Sequence, residues 1–231
     1  MKKRIRHKHS LAIRWFHWLN FPILMVMTWS GMLIYWANDV YKLGWGDQTV
    51  LKFFPDSFYK ALKIPFRLAE GMNIHFFFMW LFALNGICYA IYLLWSGEWR
   101  ELLPSRQSFR ELIPAVVSTV LLRRKKDGPH KFNAAQRFAY SGVILMGFVM
   151  LLNGLAIYKP VQLGWLCALF GGYENARAIH FTITMLFVAF FLLHIIQVIL
   201  HGWNSFRAMI TGFEVLPNDT SQKKDSDHET A

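Results

Sequence analysis

The sequence predicts an all-α integral membrane protein, a four-helix transmembrane bundle. Three observations carry that expectation. Of 231 residues, 55% are hydrophobic and only 17% charged, which is unlike a soluble domain of this length. Four segments reach the ~20 mostly apolar residues that a helix needs to cross the hydrocarbon core. Ten Trp and eight Tyr supply the amphipathic rings that gather at headgroup level.

The first span, residues 13–36, follows the basic arm "MKKRIRHKHSLAIRW". Its apolar run is too long for a signal-peptide core and no small-x-small cleavage site follows, so it reads as a retained span. The loop after it, with its Gly, Pro and Asp punctuation, has room for a short helix. The second span is residues 72–95. The next connection centres on "FRELIPAVVSTVLLRRKK", too short and too charged at its ends for a fifth span; it fits an amphipathic interfacial helix near residues 113–122. The third span is residues 134–158. The segment "KPVQLGWLCALFGGYE" is apolar enough to dip into the interface before the fourth span, residues 175–203. Residues 1–213 thus form one domain, and residues 214–231 read as a polar cytoplasmic tail without fixed structure.

Charge sets the orientation. Eighteen of the 25 Lys and Arg residues fall in the N-terminal arm, the second loop and the tail, against seven in the other two loops. The positive-inside rule then places both termini in the cytoplasm. The net charge of +11 is therefore read as a topology signal in contact with lipid, with no nucleic-acid partner. Only two cysteines occur, Cys88 and Cys167, and no C-x-x-C-H. That excludes covalent c-type haem and four-cysteine iron–sulfur ligation.

Nine histidines are present. His7, His9, His130 and His228 lie in polar cytoplasmic segments, where solvated surface is the ordinary reading. His17, His75, His180, His194 and His201 lie in or near the spans. His180 and His194 are 14 residues apart, which returns to within ~40° of the same helix face after a rise of ~21 Å. His75 is at the depth of His180 on the outer side, and His17 at the depth of His194 on the inner side. Two imidazole pairs facing across a helix bundle form a ligand set for two b-type haems, the histidines being the axial iron ligands. A lone buried histidine is as often bonded to a neighbouring hydroxyl or carbonyl, but intramembrane ionisable groups default to function. A metal or proton path lined by histidine would also recruit acidic residues, and none lies inside the four spans. His201, seven residues beyond His194 and on nearly the same face, competes for the inner position, and geometry alone does not choose. Gly31 and Gly86 share faces with His17 and His75, where a missing side chain would admit a haem edge or simply ease helix packing.

The motifs "RWFHW", "NIHFF", "HKFNAAQR", "FGGYENARAIHF" and "LLHI" make the chain resemble the bacterial di-haem cytochrome b membrane subunits. These include the formate dehydrogenase gamma subunit, the nickel–iron hydrogenase cytochrome b and the thiosulfate reductase cytochrome b subunit. The likeness to the last is strongest, through "KPVQLGWLCALFGGYENAR" and "MITG". It covers residues 9–213, although several of those subunits have an extra span absent here. The resemblance implies the pairs His75–His180 (outer haem) and His17–His194 (inner haem), leaving His201 spare. It implies a quinone beside Asn133, with His130 adjacent; Asn133 with Gln136 also reads as a capping box of the third span. It implies an electron-transfer subunit of the bacterial inner membrane, exchanging electrons between quinone or quinol and a periplasmic molybdopterin oxidoreductase subunit, with or without an iron–sulfur subunit. A haem-binding sensor and a histidine-lined metal or proton transporter are the competing classes.

Overall fold

The computed structural model describes residues 4–37, 41–45, 48–120, 132 and 134–216. In chain order the elements are β1 (Arg4–His7), α1 (Leu11–Tyr35), β2 (Lys42–Trp45), β3 (Gln48–Lys52), α2 (Asp56–Ala61), α3 (Leu68–Ser96), α4 (Trp99–Leu102), α5 (Arg106–Val120), α6 (Ala134–Tyr158), α7 (Gly164–Leu169), α8 (Tyr173–His201), α9 (Trp203–Thr211) and β4 (Phe213–Leu216). The protein is all-α with four long helices, α1, α3, α6 and α8, each apolar and long enough to cross a bilayer. At 25 to 29 residues they exceed the hydrocarbon thickness. Leu84, Leu94, Leu145, Phe148, Leu193 and Ile199 stand exposed along them, as lipid-facing side chains do. It is a multi-pass membrane protein.

The connections are more structured than their composition suggests. The first loop holds the expected short helix, α2, and also an antiparallel hairpin of β2 and β3. Within the connection after the second span, Arg106–Val120 form α5, which starts earlier than the apolar centre of the sequence; residues 121–131 lie outside the described residues. Ser105 and Ser108 begin it by exchanging backbone–hydroxyl hydrogen bonds of 3.2 Å, the reciprocal arrangement that satisfies two orphan donors of a helix start. The apolar segment before the fourth span contains α7.

The chain divides into two compact units. The larger comprises residues 19–189. Within it α1 and α3 approach closely at Gly71, where a Cβ would lie 2.7 Å from the Cβ of Leu33. Beside this contact Leu33, Tyr59 and Ile64 form a buried cluster, packed by Met32, Tyr35, Trp36, Phe54 and Phe58. Tyr59 donates its hydroxyl to the Met32 carbonyl at 2.8 Å, so α2 is tied to the end of α1. A second cluster, Ala156, Leu166 and Cys167, seats α7 on α6. At the start of α6, Arg137 donates to the Arg100 carbonyl at 2.9 Å and Ser141 to that of Leu102 at 2.8 Å, which holds α4 in place. Gly97 closes α3 with φ of 72°, a left-handed cap that a side chain would strain.

The smaller unit joins the two ends of the chain, residues 1–18 and 190–231. Here the tail differs from the expectation of an unstructured segment from residue 214 onward. Its first residues pair as β4 with β1, Arg4 opposite Leu216 and His7 opposite Phe213. The physical reason is local pairing of charge and backbone. Glu214 accepts from Lys8 at 2.9 Å and Arg6 at 3.0 Å, while the Asn204 amide bonds both the Val215 carbonyl (2.9 Å) and its N–H (3.1 Å). Burial alone would raise the Glu214 carboxyl, but Lys8 and Arg6 outweigh it and hold the group below the usual carboxylate range. Arg14 and Trp18 donate to the Ile210 and Met209 carbonyls, satisfying the last turn of α9. Residues 217–231 lie outside the described residues.

Candidate functional site

Two histidine pairs form within the long helices, one in each unit. His75 of α3 and His180 of α8 place their ring centroids 6.2 Å apart at an interplanar angle of 63°. His17 of α1 and His194 of α8 place theirs 6.1 Å apart at 59°. α8 therefore supplies one imidazole to each pair.

These separations decide what the rings can do. They are too long for a direct imidazole–imidazole hydrogen bond through facing nitrogens. A metal ion between two ring nitrogens needs roughly 2 Å on each side, and the ring centre lies about 1.1 Å behind its nitrogen, so ring centres about 6 Å apart suit one ion held axially by both. Neutral nitrogen donors with no carboxylate or thiolate partner suit a haem iron. Among the described residues, no group of three or more His, Cys, Asp or Glu side chains could hold a bare metal ion.

The surroundings also leave groups unfinished. The His17 Nδ1 and the Asn153 Nδ2 atoms are buried with no hydrogen-bond partner. A Cβ added at Gly86 would meet nothing within 4 Å, and one at Gly31 would lie 3.8 Å from His75 Cε1. Gly154 stands closer still, 3.4 Å from His180 Cε1 by the same measure. Gly31 and Gly154 keep the space beside the His75 and His180 rings small-sided, and in each pair the separation and the neutral nitrogen donors fit a haem.

The His75–His180 pair is contacted by two side chains that the sequence patterns did not single out. Ser30 Oγ lies 2.9 Å from His75 Nδ1, and Asn153 Oδ1 lies 3.2 Å from His180 Nδ1. Both residues are fully buried. The available signal was a polar residue inside each apolar span, one position before Gly31 and one before Gly154. Next to His180 in sequence, Phe181 sits among the rings of Tyr35, Tyr41, Phe53 and Phe54. In the other unit, Phe190 stacks on His194 at 6.1 Å and 11°, and Trp18 meets His17 edge-on at 5.2 Å.

The remaining candidates are less informative in three dimensions. Asn133 and His130 lie outside the described residues, as does the side chain of His201, whose backbone ends α8.

The chain is also similar to known proteins. A family model described as prokaryotic cytochrome b561 matches residues 8–212. A relative from Azospira oryzae, named putative protein-methionine-sulfoxide reductase subunit YedZ1, is 31% identical over 201 residues, covering 87% of this chain and 94% of its own length.

Proposed function

The chain belongs to the prokaryotic cytochrome b561 family, and on that premise we propose that it is a di-haem cytochrome b linking the quinone pool to a periplasmic oxidoreductase subunit. Membership makes it a membrane cytochrome b that binds haem b and serves an oxidoreductase in electron transport, as the motif resemblance had led us to expect. What supports the finer reading above all is the two imidazole pairs, whose ring separations would admit one iron between a nitrogen of each ring.

In this reading His75 and His180 hold the outer haem and His17 and His194 the inner one. Haem b, when bound, supplies a one-electron ferric/ferrous couple. The chain's own part is to fix the ligands, exclude water and set the local polarity. Asn133 and His130, in a polar stretch of sequence, bind the quinone that reacts with the inner haem. The charge asymmetry supports an inner-membrane orientation with both termini cytoplasmic.

The named relative is a putative protein-methionine-sulfoxide reductase subunit, and in our reading the partner here is a periplasmic molybdopterin oxidoreductase that reduces oxidised sulfur of that kind. Reducing a sulfoxide to a thioether and water consumes two electrons and two protons, so quinol oxidised at the inner haem would be the donor.

Purified full-length protein tests this directly. The pyridine haemochrome assay should return two haems b per polypeptide, and a quinol analogue should reduce both. A colourless preparation, or a single haem per chain, overturns the di-haem reading. Haem that no quinol reduces would favour a sensor instead.

A further inference from the structure

The hydrogen bonds behind the outer pair carry a conclusion about protons. Ser30 Oγ makes two contacts, donating to the Met27 carbonyl at 3.1 Å and lying 2.9 Å from His75 Nδ1. A serine hydroxyl has one proton to give. Given to the Met27 carbonyl, that proton leaves the oxygen an acceptor, and the second bond is then donated by His75 Nδ1. Asn153 presents Oδ1, an acceptor with no proton at all, to His180 Nδ1 at 3.2 Å. With the amide in this orientation, His180 Nδ1 likewise donates. A neutral imidazole protonated at Nδ1 carries its free lone pair at Nε2. Ser30 and Asn153 thus select, on two different helices, the same tautomer of two facing rings.

Resting on the ligand assignment proposed above, we propose that Ser30 and Asn153 are the positioning residues of the outer haem, fixing the Nε2-ligating tautomer of His75 and His180 and making both rings stronger donors. The inner pair is built differently, since His17 Nδ1 is buried without a partner. An imidazole that gives up part of its Nδ1 proton is a more basic ligand and favours the ferric over the ferrous iron. The device therefore biases one site and not the other: it lowers the potential of the outer haem while leaving the inner haem alone.

The test is a redox titration of the full-length holoprotein, following the haem absorbance, with ferric low-spin EPR as a second readout. Ser30→Ala and Asn153→Leu should each raise the outer midpoint by roughly a tenfold change in the ferric/ferrous preference, ~59 mV for a one-electron couple, with the inner midpoint unmoved. Ser30→Thr keeps the hydroxyl and should restore the wild-type midpoint. Asn153→Asp keeps an acceptor and gives it charge, so the outer midpoint should fall below wild type. Unchanged midpoints in Ser30→Ala and Asn153→Leu, with both haems present, overturn the inference while leaving the ligand assignment intact. Equal haem loss in Ser30→Ala and Ser30→Thr overturns it in favour of simple packing. Absence of haem from the wild-type protein instead removes the ligand assignment on which it rests.

Discussion

Gly71→Ala is a one-atom change that should reach His75 and its Ser30 contact through the packing of α1 on α3. The added Cβ would lie 2.7 Å from Leu33 Cβ and 3.2 Å from the Leu33 carbonyl carbon. Carbon atoms rest at about 3.5–4.0 Å, so the two helices must part locally by about 1 Å. The obstacle is the root of a side chain and backbone, so no rotamer change relieves it. One turn along α3 from Gly71 stands His75, and three residues before Leu33 on α1 stands Ser30. Widening the gap by about 1 Å would stretch their 2.9 Å contact to about 3.9 Å, beyond hydrogen-bond range. The overpacking itself should cost about 1–3 kcal/mol. The assay is thermal unfolding in detergent alongside the outer-haem midpoint. We expect a lower melting temperature together with a midpoint shifted in the direction of Ser30→Ala. A variant that melts like wild type and keeps its midpoint would show that the close approach at Gly71 does not set this register.

The other predictions concern ligands, quinone and the terminal ribbon. His75→Ala or His180→Ala should remove one haem and spare the other, read from haem content per polypeptide; loss of both or neither contradicts the pairing. His201→Ala should keep two haems, and loss of the inner haem would make His201 rather than His194 its ligand. Asn133→Asp should slow quinol-driven haem reduction by tenfold or more at unchanged haem content, in stopped-flow absorbance; an unchanged rate leaves Asn133 as a helix cap. Glu214 has a lowered carboxyl in the folded chain, so its contribution is full above the ordinary carboxylate range and is lost as pH falls through the lowered value. Hydrogen exchange of the β1–β4 amides should accelerate on acidification through that range, and Glu214→Gln should reproduce the effect at neutral pH. The expected loss is about 0.5–1 kcal/mol, as for ion pairs partly screened by water; exchange that ignores both changes would deny the pair any part in holding the ribbon.

Much of this protein is written in its linear pattern. A helix crossing lipid must satisfy its own backbone, so a run of ~20 apolar residues specifies both the element and its length. That is why α1, α3, α6 and α8 lie within a few residues of the expected spans. The four histidines that the structure places in pairs were visible for a related reason: a polar ring in an apolar run is costly and stands out.

What the pattern left undetermined depends on partners distant in sequence. The strand Phe213–Leu216 looked like the start of a polar tail because its stabilising contacts, Arg6 and Lys8, are more than 200 residues away. Ser30 and Asn153 are unremarkable in their own helices, since one serine or asparagine in a span is common. Only when α1 meets α3 and α6 meets α8 does each acquire an imidazole to hold. Composition and periodicity thus determined that the chain crosses the membrane and carries facing histidines. The tertiary structure alone decided which polar groups stand behind the His75–His180 pair, because a hydrogen bond is a property of atoms brought together and not of residues in a row.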